Sequence, residues 1–385
     1  MAERAAKHSL ASVKLSDVMF AGLLSFFLQG AATVFYGPAL YYISSETGQS
    51  VANLGVLFVL HWSGFFASTL VANRIARKLE MRRSAAGASF LMGMGALGLA
   101  LMPFPFNLMF AFWIGFGSGM LEIMLNRLVE MLAGDTPAAA LTRLHATFGV
   151  GAFVMPLLSA LVEVSDWNWR GAGLILAGIA FGNGAAILRW REFQVWHGDP
   201  MHWRALPWKS ISVFVGLIVI YIGVETAVGG WATTFFAKLG QGPILGAIAT
   251  SLFFLTFTLG RVVLADSTDR WGFARAVRLG AGSGAAALAL TFFEPLALIG
   301  FALAGVAFSI VFPTLLAWGP RRHPEIRAQM ASLSIAAAGV GGIAIPYLIG
   351  LGVGNLGAWA LTPMLIVTAF SVGALTFFET PATPT

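Results

Sequence analysis

The sequence contains no cysteine and few charged residues. Only 10% of its 385 residues are Asp, Glu, Lys or Arg, whereas a soluble domain carries about a quarter. The absence of cysteine excludes disulfides, thiolate metal sites and thiol redox chemistry, and the scarcity of charge excludes an ordinary soluble protein. Apolar residues take the place of the charge. Hydrophobic residues make up 58% of the chain and the mean hydropathy is +0.81, which indicates an integral membrane protein.

Basic residues outnumber acidic residues by 23 to 17. They form short clusters between apolar runs rather than an extended patch, so we expect no nucleic-acid partner. The basic segment Met1–Lys14 precedes the first apolar run, as in a signal peptide. That run continues to about Ile43 without a following A-x-A cleavage site. We therefore expect a retained first span in the lipid bilayer.

Twelve apolar runs are long enough to cross a membrane, because a spanning helix needs roughly 20 mostly apolar residues. The predicted spans are 17–43, 51–74, 84–102, 106–132, 138–163, 170–190, 209–237, 243–265, 273–293, 296–318, 326–352 and 357–378. All Lys and Arg residues then lie on one side except Arg170 and Lys238. Because loops rich in Lys and Arg are cytoplasmic, we predict a multi-pass protein of the cell inner membrane with both termini in the cytoplasm.

The second half of the chain repeats a pattern of the first. Gly149–Leu161 reads GVGAFVMPLLSAL and Gly339–Leu351 reads GVGGIAIPYLIGL, so GVGxxxxPxLxxL recurs after 190 residues. Chance similarity of glycine-rich segments is the alternative to duplication. Related halves are typical of secondary transporters. We predict an all-α integral membrane fold with two pseudo-symmetric six-helix bundles, 1–191 and 209–385, joined by a cytoplasmic linker, 192–208.

Two carboxylates interrupt the predicted spans. Glu122 lies near the middle of the fourth span, with Asn126 four residues later on the same helix face, and Glu225 lies near the middle of the seventh. A carboxylate in a span is costly and usually marks a substrate or ion pathway, although a structural carboxylic acid satisfied by its neighbours is the alternative. We expect the two helices to face each other across a central cavity. In this hypothesis Glu122 couples the ion, and Asn126 and Glu225 bind substrate.

Other polar and aromatic side chains accompany these carboxylates. An imidazole can titrate near neutral pH, so His145, at a depth similar to that of Asn126, either takes part in ion coupling or packs as a neutral side chain. For His61 we favour packing. The further candidate substrate-binding residues are Gln29, Tyr36, Tyr221 and Trp231. Amides, carboxylates and aromatic faces together suit a polyhydroxylated ligand, while interfacial anchoring is the alternative for Tyr36 and Trp231.

A charged pair, Asp269 and Arg270, follows the eighth span at the predicted cytoplasmic face. A carboxylate and a guanidinium at this position can hold helix ends in one conformation, so we predict a conformational latch. The histidines are scattered singly and the chain lacks HExxH. We therefore expect no catalytic site, no metal site and no cofactor, but a coupling ion, H⁺ or Na⁺.

The segment from Asp269 to Gly272 resembles the cytoplasmic signature G-x-x-x-D-R-x-G-R-R of the major facilitator superfamily. Within that superfamily the chain is most similar to the fucose:proton symporter group, especially its branch with sodium-dependent glucose transporter-like proteins. The resemblance rests on Tyr36–Leu40, Leu121–Glu122 with Asn126, Leu144–Ala152 with Pro156–Leu158, Trp169–Arg170, Tyr221–Glu225 with Gly229–Trp231, and Phe312–Thr314.

The resemblance implies hexose-type substrates, cation symport by alternating access, and a coupling or substrate-binding role for Glu122. Fucose symporters carry an acidic residue in helix 1, but Thr33–Gly37 contains none. Either Glu225 substitutes for it or the coupling ion is Na⁺. We expect a monomeric sugar–cation symporter. The first alternative is a proton-driven exporter of amphipathic or drug-like compounds. The second is an intramembrane enzyme or receptor, and the lack of a catalytic constellation argues against it.

Overall fold

The computed structural model describes residues 15–132, 137–163, 168–190, 203–264 and 267–379. Nearly all of this part of the chain is helical, and none of its residues forms a strand. In chain order the α-helices are α1 Leu15–Thr47, α2 Val51–Leu54, α3 Val56–Leu79, α4 Met81–Leu101, α5 Phe110–Leu132, α6 Pro137–Glu163, α7 Asn168–Leu188, α8 Trp208–Lys238, α9 Pro243–Val263, α10 Ser267–Trp271, α11 Phe273–Ala289, α12 Ala297–Phe308, α13 Val311–Arg322, α14 Arg327–Leu356 and α15 Leu361–Leu375. Short 3-10 turns lie at Phe106–Met109, Trp203–Ala205, Leu290–Phe292, Glu294–Leu296, Pro324–Ile326 and Ala358–Ala360.

Eleven helical segments of the described chain are long and apolar enough to cross a membrane. They coincide, within a few residues at each end, with eleven of the twelve predicted spans. The predicted span 273–293 falls on α11, which has 17 residues and carries Arg275 and Arg278 near its start. One 3-10 turn, Leu290–Phe292, continues it. A helix is thus present at the twelfth predicted position, but it is shorter than the roughly 20 residues of a full span.

The contacts group the chain into two compact units. Unit 1 comprises Met1–Thr33 and Leu60–Pro200, and unit 2 comprises Val34–Val59 and Met201–Thr385. The segment Val34–Val59 belongs to unit 2 because its helices pack closely against those that follow residue 201. A Cβ on Gly37, for example, would lie 2.9 Å from the carbonyl oxygen of Gly229. The domain ranges predicted from the sequence stay a prediction. Apolar runs in a sequence do not show tertiary contacts of this kind.

Reciprocal glycine contacts bring helices of unit 1 together. A Cβ on Gly30 of α1 would collide with the carbonyl of Phe148 in α6, and a Cβ on Gly151 of α6 would collide with the carbonyl of Phe27 in α1. The helices α3 and α5 cross in the same way, with Gly64 against the carbonyl of Phe112. In lipid, helices associate through close packing of small residues rather than through the hydrophobic effect. These glycines therefore hold the helices of unit 1 together.

Unit 2 contains the same kind of crossing at the repeated motif. Gly341, which stands 190 positions after Gly151, lies against the carbonyl of Val219 in α8. The matched prolines of the motif, Pro156 and Pro346, both lie inside their helices, as membrane helices tolerate. The repeat in the sequence is thus accompanied by a repeat in how its helices pack.

Candidate functional site

Two amide side chains of unit 1 carry buried polar atoms that have no hydrogen-bond partner among the described residues. Gln29 on α1 is buried and its Nε2 has none. Asn126 on α5 has a buried Oδ1 that is also without one. Leaving a buried donor or acceptor unpaired costs about 1–3 kcal/mol, and each such group in a folded protein calls for an explanation. A polar ligand is one such explanation, because it can accept a hydrogen bond from Gln29 and donate one to Asn126.

The two predicted ion-coupling residues also lie in unit 1. Glu122 lies one helical turn before Asn126 on α5, so both side chains share one helix face, and each is only partly buried. His145 lies on α6, the helix that follows, and is also partly buried. Its ring contacts Phe26 of α1 edge-on, with 4.9 Å between ring centroids. Glu122 and His145 therefore lie on neighbouring helices of one unit, and their coupling role stays a prediction.

A polar contact that the sequence did not reveal joins three helices of unit 1. Asn183 of α7 is fully buried, and its Nδ2 donates to the hydroxyl of Ser25 on α1 at 2.8 Å and to that of Ser89 on α4 at 3.2 Å. Ser89 in turn donates to the carbonyl of Ala180 at 2.8 Å. An asparagine in an apolar run could have been flagged, but its serine partners come from distant parts of the chain. We interpret Asn183 as a packing residue.

Two aromatic candidates of unit 2, Trp231 and Tyr36, are fully buried. The Trp231 Nε1–H donates to the carbonyl oxygen of Pro346 on α14 at 2.9 Å. Its ring packs against Phe58, with 5.7 Å between centroids, and Tyr36 contacts the same phenylalanine at 6.1 Å. The single donor of Trp231 is thus occupied within unit 2. The substrate-binding roles predicted for both residues remain untested.

Trp231→Phe is expected to lower the free energy of unfolding by about 1 kcal/mol, because it removes the hydrogen bond to the Pro346 carbonyl from a buried site. Thermal unfolding of the purified protein in detergent measures the loss. Trp208→Phe is the matched control, since Trp208 also donates to a carbonyl, that of Trp203 at 3.0 Å, but is 43% exposed. An equal melting temperature for the two variants would contradict the structural role of Trp231.

The second carboxylate belongs to a cluster of three polar residues in unit 2. Glu225 on α8 has 9% of its surface exposed, and its Oε2 has no hydrogen-bond partner. The Tyr221 hydroxyl donates to the Phe308 carbonyl oxygen at 2.8 Å and interacts with the Glu225 carboxyl group. Because the one proton of this hydroxyl is used at Phe308, its oxygen is left as an acceptor.

Arg261 on α9 completes this cluster. Its positive charge interacts with the carboxylate of Glu225, and its guanidinium lies over the ring of Phe257, 4.3 Å from the centroid. The sequence placed Arg261 with the cytoplasmic loop and did not connect it with Glu225. The arginine lies two residues before the end of an apolar helix, but the identity of its partner depends on how α8 and α9 pack.

Of the predicted latch, the side chain of Asp269 lies outside the described part of the chain, and Arg270 is exposed. A different ion pair is present elsewhere in unit 2, where Arg322 Nε lies 3.6 Å from Glu379 Oε2. Burial raises the pKa of the Glu379 carboxyl, and the nearby His323 and Arg322 act against that rise. The predicted latch is untested, while Arg322 and Glu379 connect the end of α13 with the end of the described chain.

The candidate ligand groups can all form hydrogen bonds. Among the described residues, no three His, Asp or Glu side chains are grouped so as to hold a metal ion. In unit 1 the candidate residues contribute an unpaired amide nitrogen of Gln29 and an unpaired amide oxygen of Asn126, and in unit 2 an unpaired carboxylate oxygen of Glu225. The hydroxyl oxygens of Thr233 and Thr234 on α8 are also buried and unpaired. Each unit therefore offers groups that can form hydrogen bonds with a ligand carrying several hydroxyl groups.

One known protein is similar to this chain over most of its length, and a second is similar over about a third of it. It is 23% identical to the glucose/mannose transporter GlcP of Bacillus subtilis over 360 residues, which cover 86% of each chain. It is 27% identical to the sodium-dependent glucose transporter 1A of Mus musculus over 140 residues, covering 34% of this chain and 31% of the mouse protein.

Solved structures share the fold. The crystal structure of a D-xylose-proton symporter superposes with a TM-score of 0.75 at 14% identity, covering 93% of this chain and 97% of the other. That of the nucleoside transporter NupG superposes with a TM-score of 0.74 at 14% identity, covering 94% and 97%. These matches confirm the predicted all-α membrane fold. Residues 22–346 match the family model of the Major Facilitator Superfamily, and the chain belongs to that superfamily.

Proposed function

We propose that this protein moves a hexose-type sugar across the cell inner membrane by symport with H⁺ or Na⁺, with alternating access and without chemical conversion of the sugar. One observation carries the proposal. Gln29, Asn126 and Glu225 keep buried polar atoms unpaired in otherwise apolar spans. A sugar offers hydroxyl groups that both donate and accept, so it has the chemistry to pair with the amides of unit 1 and, taken separately, with the carboxylate of unit 2. The names of the two curated relatives, both glucose transporters, support the same substrate class.

The roles of the side chains follow from their environments. Glu225 interacts with Tyr221 and Arg261 and has one unpaired oxygen, so it can accept from a sugar hydroxyl while Tyr221 and Arg261 position it. Glu122 lies on α5 and His145 on the neighbouring α6, and we assign these two residues to ion coupling. The distribution of Lys and Arg supports cytoplasmic termini, and we propose that the protein acts as a monomer.

Gradient-driven uptake of a labelled hexose tests this function. Purified full-length protein in proteoliposomes is expected to accumulate the sugar when an inward H⁺ or Na⁺ gradient is imposed, and to equilibrate it without accumulation when neither is present. Protein-free liposomes are the control for leakage. If no monosaccharide accumulates under either gradient while the protein is folded and inserted, the proposal is wrong.

A further inference from the structure

A groove with a volume of about 460 Å³ lies in unit 2 between α11 and α12, and most of the side chains that line it are apolar. Its walls include Leu279, Ser283 and Ala286 of α11, Leu303 and Val306 of α12, and Ile310, which follows α12. Large apolar side chains along it are open to the surroundings, with Leu279 44% and Leu303 49% exposed. The groove therefore opens outward from the unit rather than toward its packed interior.

Small residues create this groove. Gly280 lets the two helices approach, since a Cβ there would lie 2.7 Å from Cγ2 of Val311 and 2.9 Å from the Ala307 carbonyl oxygen. The small side chains of Ser283 and Ala286 then leave a trough beside the contact. The Ser283 hydroxyl donates to the Leu279 carbonyl at 2.6 Å, so it offers no unpaired polar group. The trough suits an alkyl chain.

Basic residues flank one part of the groove lining, which we call the basic end. It contains Leu264 and Trp271. Arg275 lies one helical turn before Leu279 and so on the same face of α11. Arg270 precedes Trp271 directly, and both arginines are exposed. Among the described residues, neither arginine forms an ion pair.

The surrounding segment 261–278 is basic on balance, with four arginines and two aspartates, Asp266 and Asp269. The side chains of those aspartates lie outside the described part of the chain. Arginine forms bidentate hydrogen bonds with phosphate, and tryptophan favours the level of the headgroups. This end therefore has the chemistry of a lipid headgroup site.

We propose that the groove binds an anionic phospholipid, with one acyl chain in the trough and the phosphate at Arg275 and Arg270. The dimensions agree. From Arg275 to Leu290 the helix and its final turn rise by about 22 Å at 1.5 Å per residue, which matches half of a bilayer of about 40–45 Å with its headgroups. Basic pockets between spans on the cytoplasmic side are the kind that holds anionic headgroups. This proposal does not depend on which solute the protein transports.

Native mass spectrometry of the full-length protein in detergent tests the proposal, with phosphatidylglycerol and phosphatidylcholine of identical acyl chains as the probes. The wild type is expected to retain one phosphatidylglycerol in preference to phosphatidylcholine. Arg275→Gln is expected to lower retention of phosphatidylglycerol about fivefold, the effect of one basic residue near the membrane surface, and to leave phosphatidylcholine unchanged. Ser283→Phe fills the trough and is expected to abolish retention of both lipids.

Matched variants control for charge and for bulk. Arg189→Gln removes an exposed arginine outside the groove, and Ser371→Phe replaces another serine that donates to the carbonyl four residues earlier; both are expected to retain lipid as the wild type does. Ala286→Leu replaces Ser283→Phe if the latter is not monodisperse. Equal retention of the two lipids by the wild type would overturn the proposal. So would full retention by Ser283→Phe, or a dimer in the mass spectrum that Ser283→Phe dissociates.

Discussion

Replacement of Gly151 by alanine is expected to lower the free energy of unfolding by more than about 3 kcal/mol, at or beyond the upper end of what overpacking costs. The added Cβ would collide with the backbone carbonyl of Phe27. A backbone carbonyl cannot rotate away as a side chain can, so α1 and α6 must separate. That separation also removes the reciprocal contact of Gly30 with Phe148. The melting temperature and the yield of monodisperse protein in detergent measure the effect.

Gly178→Ala is the matched control, because Gly178 is also a helical glycine of unit 1 but has no atom within 4 Å of the position of its Cβ. Alanine there is expected to be neutral or to stabilise the protein by about 0.5–1 kcal/mol, since glycine is less favourable in a helix. The two substitutions are chemically identical, but only Gly151→Ala is predicted to destabilise the protein. Equal melting temperatures for Gly151→Ala and the wild type would show that the helices do not depend on this contact.

Most of the fold follows from the apolar runs and the charges between them. Because a spanning helix satisfies its own backbone, run length alone located eleven spans near their observed positions. The sequence did not show that α11 is only 17 residues long, since Leu290–Phe292 is as apolar as the helix before it. Nor did it show that Val34–Val59 belongs to unit 2. The membership of this segment in unit 2 depends on the close contact of Gly37 with Gly229, which no local sequence pattern shows.

The candidate site was predictable where a polar residue interrupts an apolar run. Gln29, Asn126 and Glu225 stand out in this way, and each carries an unpaired buried atom. The side chains and carbonyl groups that these and other polar residues contact were not predictable. The interaction of Arg261 with Glu225 and the bonds from Asn183 to Ser25 and Ser89 join helices that are distant in sequence. For the same reason, the hydrogen bond from the Trp231 Nε1–H to the Pro346 carbonyl was not predictable.

Glu122→Gln is expected to abolish concentrative uptake while exchange of sugar across the membrane persists. A glutamine has nearly the same size and can still form hydrogen bonds. It can neither take up and release the coupling proton nor carry the negative charge that attracts Na⁺. The sugar can still bind and cross, so labelled sugar outside still exchanges with unlabelled sugar inside. Accumulation of sugar against its gradient requires the coupling ion. In the variant, the sugar is therefore expected to reach only equal concentrations on both sides. Paired uptake and exchange assays in the same proteoliposomes measure the difference.

Glu225→Gln is the comparison that separates coupling from binding. Its unpaired Oε2 is proposed to accept a hydrogen bond from the sugar, and a hydrogen bond to a charged group contributes about 1.5–3 kcal/mol. Its loss is therefore expected to raise the KM of both uptake and exchange by about tenfold or more, whereas Glu122→Gln leaves the KM for exchange near that of the wild type. If Glu122→Gln reduces exchange as severely as uptake, Glu122 binds the sugar. If Glu225→Gln abolishes accumulation alone, the two carboxylates have the opposite roles, since a ligand defect must appear in both assays and a coupling defect in only one.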